Sequence, residues 1–288
     1  MADLPLAGKI CLVTGATSGI GAVTARELAA RGATSVLVGR DGARCSRQAE
    51  SIRRHTGSRV EFLIGDLSSQ AQVRRVAQEF RSRFTRLDVL VNNAGAYFMR
   101  REISADGLEM TFALNHLAFF LLTSLLLDRL LASPSARVVN VSSNAHEQGT
   151  LDFLNLQGER HYDRLEAYSR SKLANVLFTY ELARRMRDTH ITANALHPGL
   201  AATNLGSNNG WVRVKLRNLL KRRMLSAEEG SRTSVFLASS PELERVTGKY
   251  FHQCRETRSS EQSYDEAVAH RLWEVSEKLT GLPECQYR

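Results

Sequence analysis

The sequence Lys9-Ile10-Cys11-Leu12-Val13-Thr14-Gly15-Ala16-Thr17-Ser18-Gly19-Ile20-Gly21 decides the fold. Its short apolar run predicts a buried β-strand, and a helical pattern follows from Gly19 to Arg31. The glycines between them allow the backbone to turn tightly and to approach a pyrophosphate, which the helix N-terminus would stabilise. A glycine trio alone is a weak signal, but a position between a strand and a helix is the context that a dinucleotide site requires. The alternative interpretation is a tight turn without a ligand.

The alternation of strand and helix continues along the chain. Further strands are predicted at residues 35–39, 60–64, 87–91, 137–141 and 191–196, and helices at residues 42–55, 69–84, 114–131 and around 168–172. Continuous apolar strands separated by helices predict a parallel sheet covered on both faces. Since no repeat or linker interrupts the pattern, we expect one doubly wound α/β domain over residues 1–288.

The composition and the charge limit the kinds of ligand to be expected. The chain has 288 residues and a net charge of +9, which suits nucleic acid, an acidic membrane surface or a phosphate-bearing ligand. Aromatic residues are sparse and no nucleic-acid module is recognisable, so nucleic acid ranks last. The four cysteines lack metal-ligand spacing, which predicts free thiols in a reducing compartment and no metal site.

No segment has the pattern of a signal peptide or a membrane span. The most hydrophobic stretch, residues 111–131, is interrupted by Asn115 and His116 and indicates a buried helix. We therefore expect a cytoplasmic protein.

The end of the second strand bears on the choice of cofactor. An acidic residue there would bind a ribose 2′-hydroxyl, whereas this chain has Gly39-Arg40. Arg40 could pair with a 2′-phosphate, so the sequence favours NADP(H) over NAD(H). The alternative is that Arg40 is a solvated loop cation, and the adjacent Asp41 weakens the argument for a phosphate.

Polar residues also follow the third and fourth strands. Asp66 and Leu67 come after one, and Asn93-Ala94-Gly95 after the other. The carboxyl ends of the strands form the ligand crevice of an open sheet, so these residues are candidates for contact with the adenosine. Asn, Asp and Gly also favour turns, and both interpretations can hold together.

Tyr168 and Lys172 are four residues apart and, on a helix, project from one face. An ammonium beside a phenol favours the phenolate, which predicts a Tyr168 pKa below the usual ~10. Such a tyrosine can exchange a proton with a carbinol or carbonyl oxygen. The alternative is a solvent-facing pair on an ordinary helix.

Together these motifs resemble the short-chain dehydrogenase/reductase family. They are Thr14-Gly-x-x-x-Gly-Ile-Gly21, Asn92-Asn-Ala-Gly95, Asn115, Val141-Ser-Ser143, Tyr168-x-x-x-Lys172 and Pro198-Gly199, in the family's order over about residues 6–282. The resemblance implies a Rossmann sheet of about seven parallel strands and a catalytic set of Asn115, Ser143, Tyr168 and Lys172.

The resemblance also implies a role for each of these residues. Tyr168 is the acid–base, and Ser143, chosen over Ser142 by alignment to the motif, holds the substrate oxygen. Lys172 binds the nicotinamide ribose and lowers the Tyr168 pKa, and Asn115 positions a water. The implied cofactor contacts are Gly15, Thr17, Ser18, Gly19, Ile20, Gly21, Arg40, Asp66, Leu67, Asn93, Ala94, Gly95, Tyr168, Lys172, Pro198, Gly199 and Thr203.

The 25-residue spacing between Ser143 and Tyr168 resembles the retinol dehydrogenase subgroup, as do Ala145-His146 and Gly248-Lys249-Tyr250-Phe251. This subgroup implies NADP(H) and long apolar alcohols or aldehydes, such as retinoids and lipid-derived aldehydes. The two alternatives are a general carbonyl or steroid reductase, and a catalytically idle protein that binds NADP(H).

Residues 204–225 are the expected substrate lid. Within them, an apolar helical face lies beside a basic stripe, which is typical of a helix in a membrane interface. One hypothesis is that the lid contacts anionic lipid; the alternative is that its apolar face covers the substrate cleft and its charges are solvated. A homodimer is compatible with the sequence, although no feature requires it.

Overall fold

The computed structural model describes residues 4–199 and 225–282. The strands are β1 (Ile10–Thr14), β2 (Thr34–Gly39), β3 (Val60–Ile64), β4 (Val89–Asn92), β5 (Ala136–Val141), β6 (Ile191–Leu196), β7 (Lys249–His252) and β8 (Arg255–Thr257). The α-helices are α1 (Gly19–Ala30), α2 (Gly42–Thr56), α3 (Gln70–Arg83), α4 (Met110–Phe112), α5 (Ala118–Leu125), α6 (Leu127–Leu131), α7 (Arg164–Arg185), α8 (Ala227–Ser239) and α9 (Glu266–Thr280). The predicted lid, apart from Leu225, and Thr203 lie outside the described residues.

The strands form one sheet in the order β3-β2-β1-β4-β5-β6-β7-β8. The first seven strands are parallel, and β8 pairs antiparallel with β7. The prediction of about seven parallel strands therefore holds, with one short antiparallel strand added. The order reverses between β1 and β4, and in an open sheet of this kind ligands bind at the carboxyl ends of the strands at that point.

Alternate residues of β1 contribute to two hydrophobic cores, one on each face of the sheet. Leu12 packs with residues of α3, α5 and α7, among them Phe80 and Phe120. Cys11 and Val13 pack with residues of α1, α2 and α8 on the other face. Because both faces are covered, the central strands are largely apolar, which is why the sequence shows nearly continuous apolar runs there.

The predicted long helix at residues 114–131 is not continuous. After α4 the chain makes a π-helical turn, Ala113–Leu117, and then continues as α5 and α6. The turn carries Asn115 and His116, the two polar residues within the apolar stretch. A π-helical turn inside a helix is common at functional sites.

Helix α9 covers the outer side of α7. Leu272 belongs to a core cluster with Leu173 and Leu177 of α7, and the rings of Trp273 and Phe178 stack at 5.8 Å. Together with the sheet and the turn after β5, α9 leaves 16 of the 22 residues of α7 buried. Among the described helices, none is long and apolar enough to cross a membrane.

Candidate active site

The glycine-rich turn lies at the carboxyl end of β1. Gly15 and Gly19 adopt φ values of 66° and 58°, which favour glycine. A Cβ at Gly21 would overlap the Gly15 carbonyl group and the Asn93 side chain. Ser18, the N-cap of α1, makes no side-chain capping bond, so its hydroxyl does not occupy the first-turn N–H groups. Thr17 is half-buried and Ile20 is buried, so side-chain packing holds this turn in place. The N–H groups of the first turn of α1 remain available to a ligand.

Asn93 and Ala94 hold the loop after β4 against this turn. Both main-chain N–H groups donate to the Thr14 hydroxyl, at 2.8 and 3.0 Å, and the Asn93 amide donates to the Thr14 carbonyl at 2.8 Å. Gly95 continues toward α7, since a Cβ there would lie 3.5 Å from Lys172 Nζ. These residues therefore have the turn-forming role that the sequence allowed, and the same contacts place them in the crevice.

Arg40 follows β2 and is exposed. Its neighbour Asp41 is engaged elsewhere: it caps α2 by accepting from the Arg44 main-chain N–H at 3.0 Å, and it lies 3.5 Å from Arg44 Nε. Within residues 4–199 and 225–282, Arg40 has no ion-pair partner. Asp41 is therefore held on α2 and does not neutralise Arg40.

Asp66 follows β3 at the same edge of the sheet. Its Oδ1 accepts from the Ser68 main-chain N–H at 3.0 Å and from the Ser68 hydroxyl at 2.7 Å. Its Oδ2 accepts no hydrogen bond from the described part of the chain, and Leu67 beside it is buried. One carboxylate oxygen therefore builds the turn while the other can accept from a ligand.

Asn115 braces the loop after β4 against α7. Its side-chain amide donates to the Ala96 carbonyl at 3.0 Å and to the Ser171 hydroxyl at 3.1 Å, and its oxygen accepts from the Ala96 N–H at 2.9 Å. Asn115 is fully buried. These contacts fix the loop after β4 to α7, and the predicted role of Asn115 in positioning a water stays a prediction.

Lys172 of α7 places a buried ammonium between the end of β5 and the Tyr168 ring. Its Nζ donates to the Val141 carbonyl at 3.2 Å and lies 5.6 Å from the centre of the Tyr168 ring. Burial lowers the pKa of Lys172 to about 8. The side chain is therefore charged at neutral pH but gives up its proton more readily than an exposed lysine.

Ser142 and Ser143 differ clearly in the structure. The buried Ser142 hydroxyl donates to the Lys172 main-chain carbonyl at 2.7 Å and so joins β5 to α7. Ser143 is half-buried, and its Oγ accepts from the Ala145 main-chain N–H at 3.2 Å and donates to Asn144 Oδ1 at 3.3 Å. The same hydroxyl lies close enough to the Tyr168 phenol to lower the pKa of that phenol. The geometry thus favours Ser143, the residue chosen from the motif, as the serine beside the phenol.

The pKa predicted for Tyr168 is wrong in direction. Burial raises the pKa of Tyr168 to about 12, and the nearby Ser143 hydroxyl opposes this only in part. The Lys172 ammonium donates to the Val141 carbonyl and lies 5.6 Å from the centre of the Tyr168 ring, and it is not among the groups that shift the pKa of Tyr168. The phenol is consequently protonated at neutral pH.

Several neighbours of these residues were not assigned a role from the sequence. The ring of Tyr97 meets that of Tyr168 edge-on at 5.5 Å, and Ser171 accepts from Asn115. His146 and Tyr250 both contact the main-chain carbonyl of Ser143. Tyr250 and His146 lie in motifs quoted above, but only the fold shows what they contact.

Pro198 and Gly199 follow β6 at the same edge of the sheet. Gly199 adopts a φ of 80°, and its N–H lies 3.3 Å from Nδ1 of His197. The His197 ring stacks on His252 at 3.9 Å, and burial lowers its pKa to about 4. Within the described residues, no group of three or more His, Cys, Asp or Glu could hold a metal ion.

A sequence profile of short chain dehydrogenases matches residues 9–210. The chain belongs to the short-chain dehydrogenase family. Human (Homo sapiens) retinol dehydrogenase 14 is 43% identical over 292 residues, which cover 96% of this chain and 87% of the relative. Human retinol dehydrogenase 12 is 42% identical over 281 residues, covering 97% and 89%.

Solved structures of similar proteins agree with this assignment. An uncharacterized protein from Mycobacterium paratuberculosis superposes with a TM-score of 0.78 at 36% identity, covering 97% of this chain and 96% of the other. The NADP complex of Pseudomonas aeruginosa RhlG gives 0.70 at 27% identity, with 87% and 97% covered. This short-chain dehydrogenase is thus an oxidoreductase of a family that binds a nicotinamide cofactor.

The residues at the crevice fit such a cofactor. The uncapped first turn of α1 suits a pyrophosphate, and the free Oδ2 of Asp66 can accept from an adenine amino group. The Lys172 ammonium lies beside Gly95, where a ribose hydroxyl could accept from it.

Proposed function

We propose that the chain is an NADP(H)-dependent oxidoreductase that interconverts a retinol-like apolar alcohol and its aldehyde. The observation that carries this proposal is the meeting of Ser143, Tyr168 and Lys172 with Asn115, at the edge of the sheet where the glycine-rich turn also lies. A protein that only binds the cofactor would need neither the Ser143 hydroxyl nor the Tyr168 phenol.

The bound cofactor supplies or accepts a hydride at the carbon of the substrate. In this proposal Ser143 donates a hydrogen bond to the substrate oxygen and Tyr168 gives it a proton. A Tyr168 pKa of about 12 keeps the phenol protonated at neutral pH, which suits proton donation during reduction of a carbonyl. Lys172 holds the cofactor's ribose, and Asn115 keeps the loop after β4 fixed to α7.

Two observations support an apolar substrate. The rings of Tyr97 and Tyr168 meet in an edge-to-face contact at 5.5 Å, so an aromatic ring borders the reacting phenol. The relatives that match nearly the whole chain are named retinol dehydrogenases 14 and 12. In this proposal residues 204–225 close the site as a lid of the same domain.

The preference for NADP(H) depends on Arg40. Its guanidinium is exposed at the end of β2 and is not paired with Asp41, so it is available to a 2′-phosphate. The related RhlG structure with NADP is consistent with this choice.

The first experiment is the NADPH-dependent reduction of all-trans-retinal by purified protein, with retinol resolved chromatographically. Tyr168→Phe is the matched control, because it keeps the ring and removes only the hydroxyl. We expect turnover by wild type and a loss of at least about 100-fold in the variant. Wild type that binds NADPH but reduces no retinal would exclude the retinoid substrate, and a panel of lipid aldehydes and ketosteroids would then test the general carbonyl or steroid reductase. Inactivity on the whole panel would favour the idle NADP(H)-binding protein.

A second experiment tests the cofactor. Arg40→Gln should weaken NADPH binding by about 10- to 100-fold, the size of a charge-assisted contact with phosphate, and leave NADH binding nearly unchanged. Arg44→Gln removes the same charge nearby from a residue that is paired with Asp41, and serves as the control. Equal effects of the two substitutions would show a general charge effect and refute the role of Arg40.

A further inference from the structure

The turn after β5 is tied down at one atom, the main-chain carbonyl oxygen of Ser143. Three donors approach this oxygen: the His146 main-chain N–H at 3.1 Å, the His146 ring Nδ1 at 2.7 Å and the Tyr250 hydroxyl at 3.4 Å. The first is the ordinary bond of the 3-10 turn, Asn144–Gln148. The other two come from side chains, and Tyr250 belongs to β7, so the carbonyl is fixed relative to the sheet.

The partners of His146 define its protonation. The ring Nε2 lies 3.0 Å from the main-chain nitrogen of Ser260, whose N–H can only donate. Nε2 must therefore carry a lone pair, and the proton lies on Nδ1, which donates to the Ser143 carbonyl. The ring is fully buried, and this burial lowers its pKa. His146 is thus a neutral Nδ1–H imidazole.

The segment that holds His146 is bonded to the helix that carries Tyr168. The Ser259 hydroxyl lies 2.7 Å from the Tyr180 hydroxyl of α7 and 2.6 Å from the Ser263 hydroxyl. Ser263 in turn donates to the Ser260 carbonyl at 2.6 Å. Hydrogen bonds therefore connect α7, through the segment Ser259–Ser260 and the His146 ring, to the carbonyl of Ser143.

We infer that His146 is a positioning residue that sets the direction of the Ser143 hydroxyl toward Tyr168. The Ser143 hydroxyl is held within the same turn, because its Oγ accepts from the Ala145 main-chain N–H at 3.2 Å. A carbonyl fixed by His146 and Tyr250 fixes this turn, and with it the N–H group that selects the rotamer of the hydroxyl. This inference rests on the proposed roles of Ser143 and Tyr168.

Two substitutions of similar size separate this role from simple packing. In His146→Asn the amide nitrogen can take the place of Nδ1 and donate to the Ser143 carbonyl, although the acceptor for Ser260 is lost. In His146→Gln the amide reaches the Nε2 position and leaves no donor near Ser143. We expect kcat within about threefold of wild type for Asn and a loss of about 10- to 100-fold for Gln, the cost of misplacing a reacting group by about 1 Å. The KM for NADPH should change by less than about twofold in both.

A double substitution tests whether His146 acts through the hydroxyl. In a Ser143→Ala background, His146→Gln should change the residual kcat by less than about twofold, because no hydroxyl is left to position. A full additional loss in that background would overturn the inference. If His146→Gln does not fold, Tyr250→Phe removes the other side-chain donor and should show a smaller loss of about two- to fivefold that also disappears with Ser143→Ala.

The outcomes separate this inference from the proposed function. Wild type that reduces retinal, together with a His146→Gln variant that matches it, overturns the inference alone. Wild type that reduces no carbonyl overturns the proposed function, and crystal structures of the two His146 variants then decide the inference. It requires the Ser143 hydroxyl in place in the Asn variant and turned away from Tyr168 in the Gln variant; an unmoved hydroxyl in both overturns it.

Discussion

Lys172 places an ammonium in the protein interior, and a substitution can measure what this costs. Its side chain is 3% exposed, and burial lowers its pKa from 10.5 to about 8. This difference corresponds to about 3 kcal/mol by which folding disfavours the charged side chain at neutral pH. Methionine has a similar length and no charge, but it removes the donor to the Val141 carbonyl, which costs about 1 kcal/mol. We therefore expect Lys172→Met to raise the free energy of unfolding at pH 7 by about 2 kcal/mol while abolishing turnover.

The pH dependence of this difference gives a second test. The penalty is fully present below a pH of about 8 and disappears as the pH rises toward 10.5, where the unfolded chain also loses the proton. In that window the unfolded wild type binds more protons than the folded one, so Lys172 adds stability with rising pH. Urea unfolding of both proteins at pH 7 and about pH 9.5 should show the advantage of the variant shrinking. A variant less stable than wild type at pH 7, or a difference independent of pH, would refute the reasoning.

Three further predictions concern other parts of the site. Ser142→Ala should lower the free energy of unfolding by about 1–2 kcal/mol, since it breaks a buried hydrogen bond. Ser143→Ala should lower kcat by at least about 100-fold and the free energy of unfolding by less than about 1 kcal/mol, since its half-buried hydroxyl caps only a short 3-10 turn. Urea unfolding and retinal turnover measure the two effects, and the opposite pattern would exchange the roles of the serines. Gly21→Ala should weaken NADPH binding at least about tenfold in a fluorescence titration, because its Cβ overlaps the Asn93 side chain; an unchanged affinity would contradict this. If residues 204–225 contact anionic lipid, the protein should sediment with anionic vesicles at low salt and lose this binding when the basic residues of the segment become Gln. No sedimentation with wild type would exclude the contact.

The arrangement of strands and helices could be predicted because local patterns determine it. In β1 and β6 the apolar runs coincide with the observed strands to within a residue, since buried parallel strands need apolar residues on both faces. The helix starts at Gly19 and Gly42 were also predicted, because they follow turn-forming residues.

Other features depend on contacts that a local pattern does not contain. The π-helical turn Ala113–Leu117 interrupts an apolar run that predicts a continuous helix, and its Asn115 bonds to Ala96 and Ser171 from elsewhere in the chain. The strand β8 is entirely exposed and has no apolar signal, so only its pairing with β7 reveals it.

In the candidate site, too, some features could be predicted from local sequence patterns and others depend on tertiary contacts. The spacing of Tyr168 and Lys172 predicts that they lie on one helix face, and in the structure the ammonium lies 5.6 Å from the ring centre. The direction of the Tyr168 pKa could not be predicted, because burial, which the sequence does not reveal, raises it and the Lys172 charge is not among the groups that lower it. The assignment of Ser142 to a buried bond likewise needed the position of the Lys172 carbonyl.

The packing of α9 over α7 affects how the protein folds during translation. Helix α7 ends at Arg185 and α9 begins at Glu266, so translation completes one well before the other. At about 5–20 residues per second, the ribosome needs roughly 4–16 s to synthesise the chain between the end of α7, the helix that carries Tyr168, and the start of α9. During this interval Leu177 and Phe178 lack their partners Leu272 and Trp273, and the nascent chain exposes apolar surface of the kind that chaperones bind. The part of the molecule proposed to do the chemistry is therefore among the last to mature.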